Sequence, residues 1–159
     1  MSLTPVVAHT MLHMWEEPCI SGVNGSGAIF FSGCSLRCVF CQNWEISHKN
    51  FGKAISTERL AEIFYELEQK GAHNINLVNP THYAYSIVEA LKIYKPDIPV
   101  VYNSGGYDNI DTIKMLREKI KSPQEQQPAV LLYSSSDNIE ILNEAKELGV
   151  KFNLVKPVK

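Results

Sequence analysis

From residue 28 onward, short apolar runs alternate with amphipathic stretches, and few residues separate them. The apolar runs at 28–32, 74–79, 98–103, 129–134 and 151–155 read as strands. Between the first two, Leu60, Ile63, Phe64 and Leu67 fall at i, i+3, i+4 and i+7, the spacing of one helical face. Ser56 or Thr57 can cap that helix, and Gly71 suits its C-terminal exit. A second helix carries Ile87, Ala90, Leu91 and Tyr94 on one face and ends before Pro96 and Pro99. A third carries Ile110, Ile113, Leu116 and Ile120, followed by a polar loop at 121–128. A fourth opens on the capping box Asp137 and Glu140, presents Ile141, Leu142, Ala145 and Leu148, and ends at Gly149. Strands alternating with helices over short connections predict an α/β fold with a parallel sheet and right-handed crossovers. Residues 1–27 lack a clean period and carry Pro5, Pro18 and three glycines near the end, so they read as an irregular N-terminal extension.

A chain of 159 residues is expected to form a single α/β domain over 1–159, made of the extension at 1–27 and halves at 28–109 and 110–159. At that length about two-thirds of the unfolded surface can be buried, so no covalent staples are needed. With 45% hydrophobic and 20% charged residues the composition is that of a globular protein. A formal net charge of −2 gives no electrostatic reason to expect nucleic acid as a partner. No apolar run approaches the roughly 20 residues of a membrane span. No basic, apolar leader opens the chain, so the expected location is cytoplasmic, with no membrane partner.

Three of the four cysteines, Cys34, Cys38 and Cys41, lie within eight residues directly after the apolar run Ala28-Ile29-Phe30-Phe31. Disulfides between such near neighbours are improbable in a cytosolic setting, so a metal or redox role is the better reading. Thiolates are soft ligands that favour iron–sulfur clusters and zinc. Zinc would want a fourth ligand, and His48 is the nearby imidazole, itself read first as an exposed loop histidine. A cubane cluster held by three cysteines would leave one iron without a protein ligand. Gly33 suits the sharp exit from the strand. Gln42 and Asn43 can hydrogen-bond the loop or a cofactor, although Asn43 reads equally well as a turn former. Cys19 stands apart and reads as a small buried hydrophobe. His73 and His82 read as structural histidines.

The spacing Cys-x3-Cys-x2-Cys after a strand, with Phe40 before the third Cys, resembles the radical S-adenosylmethionine enzymes. The stretches Trp15–Gly22, Cys41-Gln42-Asn43, Ala72–Val78 and Val101–Tyr107 resemble the branch related to the pyruvate formate-lyase-activating enzyme, over roughly residues 9–109. The resemblance implies that Cys34, Cys38 and Cys41 hold a [4Fe–4S] cluster whose open iron chelates S-adenosyl-L-methionine. It implies reductive cleavage of that cofactor to a 5′-deoxyadenosyl radical for hydrogen abstraction, with Phe40 against the adenine and an electron donor of flavodoxin or ferredoxin type. The Gly-Gly-Glu motif that many members carry is absent from Val78-Asn79-Pro80-Thr81-His82. Asn79 and Thr81 are candidates to replace its polar groups, although Thr81 also reads as a helix cap. Asn103 and Ser104 could line the same face. The rival reading is a composite or truncated α/β scaffold that binds a cluster or zinc without turnover.

Asp111–Lys159 resembles instead the second half of a response-regulator receiver domain, with Ser134 and Ser135 at its hydroxyl position and Lys156-Pro157 as its Lys-Pro pair. The phosphoacceptor position holds Asn103 or Ser104, and the acidic pair's position holds Ser32-Gly33-Cys34, so phosphotransfer is not expected. The fold expected from both resemblances is a partial (open) TIM-like barrel of about five strands with a flavodoxin-like C-terminal half. An exposed end strand offers an edge for a homodimer.

Overall fold

The computed structural model describes residues 4–16, 18–105, 108, 111–112, 114–115, 130–134 and 150–155. It divides into two compact units, 1–105 and 106–159. The first unit is mixed α/β around a five-stranded sheet. Its elements are β1 (Val6–His13), α1 (Pro18–Ser21), β2 (Ser26–Phe31), α2 (Trp44–Lys49), β3 (Lys53–Ala54), α3 (Thr57–Gln69), β4 (Ile75–Val78), a 3-10 turn (Thr81–Tyr83), α4 (Ala84–Ile93) and β5 (Val100–Asn103). The strand order is β3-β1-β2-β4-β5. In the second unit β6 (Val130–Ser134) and β7 (Val150–Val155) pair in parallel.

The expected strands β2, β4 and β5 are neighbours and parallel, with Ile29 opposite Leu77 and Leu77 opposite Tyr102. The sheet as a whole is not parallel. β1 runs antiparallel to both β2 and β3, so the segment read as an irregular extension is in large part a strand. Its alternation is hidden by a register shift between Val7 and His9: Val7 faces Phe31, but His9 already faces Phe30. A bulge of this kind moves every later side chain to the other face. The stretch read as loop to Phe51 likewise contains the short helix α2 and then β3. Helical backbone at 111, 112, 114 and 115 falls within the expected third helix. The rest of that helix, the fourth helix, Ser135 and Lys156 lie outside the described residues.

Helix α3 forms as its pattern predicts. The Ser56 hydroxyl accepts from the Arg59 amide at 3.2 Å, which satisfies one of the first-turn donors. Leu60, Ile63, Phe64 and Leu67 are all buried, while Arg59, Glu62 and Glu66 pair on the exposed side. Gly71 leaves the helix at φ +81°. Helices α3 and α4 pack on one face of the sheet. Ile29, Phe31, Ile75 and Leu77 from the strands meet Leu60, Phe64, Leu67 and Ile87 there in a single core. On the other face Asn76 is fully buried, and its amide donates to Glu16 Oε1 at 3.3 Å, which ties the segment after β1 to β4.

Glu68, near the end of α3, accepts from the backbone amides of Asp97 (2.8 Å) and Ile98 (3.2 Å) and from the Tyr94 hydroxyl. One carboxylate thereby fixes the turn between α4 and β5. The bond to Glu68 is the main reason the Tyr94 phenol is pushed up to about 12. The folded state favours the neutral phenol. Its contribution is therefore complete below the ordinary tyrosine range near 10 and is lost as pH rises through about 12. In an alkaline absorbance titration, Tyr94→Phe is expected to remove one late-ionising phenol. An unchanged late phase would contradict the Glu68 contact.

Candidate metal centre

The three cysteines lie on the irregular segment between β2 and α2, at the carboxyl end of a strand with a parallel neighbour. In sheets of this kind ligand-binding groups gather at that end. The stem of the loop is clamped from several directions. Ser32 donates through its amide to the Val6 carbonyl at 2.8 Å, and its hydroxyl lies 2.8 Å from the Phe51 carbonyl and 3.2 Å from that of Ile46. The Gly33 amide donates to Ile46 at 2.9 Å, and its carbonyl accepts from Asn79 Nδ2 at 2.5 Å. His82 Nε2 lies 2.7 Å from the Ser32 carbonyl. Gly33 adopts φ +86°, and a Cβ there would sit 3.2 Å from Asn50 Oδ1 and 3.4 Å from His82 Nε2. Only a glycine makes that exit without strain. At the other side, Leu36 reaches the end of β5, where a Cβ on Gly105 would lie 2.6 Å from its Cδ1. The loop therefore crosses from β2 to β5 over the carboxyl ends of the sheet.

Cys34, Cys38 and Cys41 are free thiols, all half-buried. The Cys41 amide donates to the Cys38 carbonyl at 3.1 Å, which closes a turn holding the last two together. Among the described residues, no three His, Cys, Asp or Glu side chains converge on a single ion. One zinc ion would draw its thiolates to about 3.8 Å from each other. A cubane binds each thiolate to a different iron and spaces them more widely. His48, weighed as a fourth zinc ligand, is engaged elsewhere: it stacks on Trp44 with ring centroids 3.5 Å apart, and its Nδ1 lies 2.7 Å from Ser47 Oγ. The donor set, three thiols on one loop with no fourth protein ligand among the described residues, fits an iron–sulfur cluster.

The remaining candidates divide. Phe40 and its neighbour Val39 point away from the core, 83% and 89% exposed. Thr81 opens the 3-10 turn and is not the cap of α4, whose N-cap position is held by Tyr83. Asn103 ends β5 exposed, with its carbonyl accepting from the Asn79 amide at 2.8 Å, and Ser104 follows it half-buried. Asn79 adopts φ +57° and spends its side-chain amide on Gly33, so it holds the loop. Asn43 precedes α2 without a side-chain cap and, with Gln42, lines an open groove of about 420 Å³ shared with His9, Trp44 and Phe51. His73 Nε2 accepts from the Val23 amide at 3.1 Å, so both it and His82 are structural, as read from the sequence. The sequence reading missed Ser47, whose hydroxyl lies 3.3 Å from Cys41 Sγ. Only its place six residues after a cysteine pointed to it.

A three-thiol loop at the carboxyl end of a parallel strand defines a class of cluster-binding α/β proteins. The family model of the radical SAM superfamily matches residues 28–156, and the chain belongs to that superfamily. The match runs through the C-terminal stretch as well as the cysteine loop. Members of that superfamily typically bind a [4Fe–4S] cluster and S-adenosylmethionine. An uncharacterized protein of Methanocaldococcus jannaschii is 35% identical over 115 residues, covering 67% of this chain and 33% of that protein. The chain thus spans about a third of the length of the curated relative it matches. No solved structure matches the chain. No helix among the described residues is long and apolar enough to cross a membrane.

Proposed function

We propose that the chain is a radical S-adenosylmethionine protein of the activating-enzyme-related branch, with Cys34, Cys38 and Cys41 as the ligands of a [4Fe–4S] cluster. The observation that carries this reading is the set of three free, half-buried thiols on a loop clamped at the carboxyl ends of β2 and β4. When bound, the cluster and S-adenosylmethionine would supply one-electron cleavage and a radical able to abstract hydrogen. The chain's own residues hold and shield that chemistry. Asn79 and His82 fix the stem of the loop. Phe40, exposed beside the third thiol, offers a flat apolar face for the adenine. Thr81, Asn103 and Ser104 stand near the same edge and offer polar groups to the rest of the cofactor.

We further propose a partial barrel, a cytoplasmic setting, and reduction by a flavodoxin- or ferredoxin-type donor. The full chain, reconstituted anaerobically with iron and sulfide and reduced with dithionite, is expected to convert S-adenosylmethionine to 5′-deoxyadenosine and methionine. A loaded chain that leaves S-adenosylmethionine intact would refute the catalytic reading and leave a cluster-binding scaffold.

A further inference from the structure

Ser47 is 5% exposed, and its hydroxyl faces three groups: Cys41 Sγ at 3.3 Å, His48 Nδ1 at 2.7 Å and the Trp44 carbonyl at 3.4 Å. A serine hydroxyl has one proton to give and two lone pairs to receive. The His48 ring lies flat against Trp44, with 14° between the planes, and its Nδ1 faces Ser47. When Nδ1 carries the imidazole hydrogen it donates to Ser47 Oγ. The hydroxyl proton is then left for the sulfur or for the longer contact to Trp44. The backbone keeps Ser47 in place, because its amide donates to the Asn43 carbonyl at 2.9 Å.

We propose that Ser47 donates a hydrogen bond to the Cys41 thiolate and thereby raises the reduction potential of the cluster, with His48 holding the hydroxyl on that line. This inference rests on the cluster reading above. A hydrogen bond draws negative charge off the ligating sulfur. The reduced cluster, which carries one more electron, gains more from that than the oxidised one. Ser47 acts through Cys41 and is a positioning residue, not a catalytic one.

The test is a redox titration of the anaerobically reconstituted full chain, followed by the electron paramagnetic resonance signal of the reduced cluster. Ser47→Ala is expected to keep its iron and to shift the midpoint to more negative potential. Ser47→Thr, which keeps a hydroxyl, is expected to return it to the parent value. His48→Phe keeps the stack on Trp44 but loses Nδ1, and a smaller shift in the same direction is expected. It carries the test by itself if Ser47→Ala does not fold. A loaded parent whose midpoint is unmoved by Ser47→Ala, or by His48→Phe where that variant stands alone, overturns the inference and leaves the cluster reading standing. A parent that takes up no iron and sulfide overturns both.

Discussion

Alanine in place of any one of Cys34, Cys38 and Cys41 is expected to reduce iron and sulfide uptake to background. Two thiolates cannot hold a cubane against loss to solvent or chelators, so the effect of each single change approaches that of all three. The fold is expected to survive. None of the three side chains belongs to the core; all are half-buried on a segment outside the sheet and helices. The stem is held by Ser32, Gly33, Asn79 and His82, which these changes leave intact. Iron and sulfide analysis beside far-ultraviolet circular dichroism separates the two effects. A variant that keeps full iron content would remove that cysteine from the ligand set.

Phe64→Ala has the opposite signature. Phe64 is fully buried in α3, within the cluster that includes Ile29, Phe31, Leu60, Leu67 and Leu77. Removing a buried phenylalanine costs about 3–5 kcal/mol, from lost transfer energy and the cavity left behind. Domains of this size hold only about 5–15 kcal/mol in total. A large fall in the urea midpoint is therefore expected, and any loss of iron should track the loss of structure. A destabilisation below about 1 kcal/mol would mean that the core relaxes around the cavity. The two experiments thus distinguish loss of ligands from loss of the scaffold.

What the sequence made readable was what local periodicity or a compact motif records. The α3 stripe, its Ser56 cap and its Gly71 exit are all local, and all are found where the spacing puts them. The parallel trio β2, β4 and β5 follows from apolar runs bounded by turns. β1 was illegible because one bulge shifts its alternation and Thr10 and Met11 are exposed. The cysteine triplet stands out in the sequence by itself. What grips it does not: Gly33 and Asn79 are 46 residues apart, and Ser32 and His82 are 50 apart. No spacing rule reaches that far. Asn79 drew notice for a polar group offered to a cofactor, whereas its amide is turned inward to a carbonyl.

The clamps on Ser32 and Gly33 also bear on the order in which the molecule can be made. Val6, Ile46, Phe51, Asn79 and His82 all precede residue 83 in the chain. Protein segments leave the ribosome amino end first and begin to fold as they emerge. The grip on the cysteine segment can thus form in a nascent chain before the residues that follow 105 have emerged. Loading of that segment would then not have to wait for the rest of the chain.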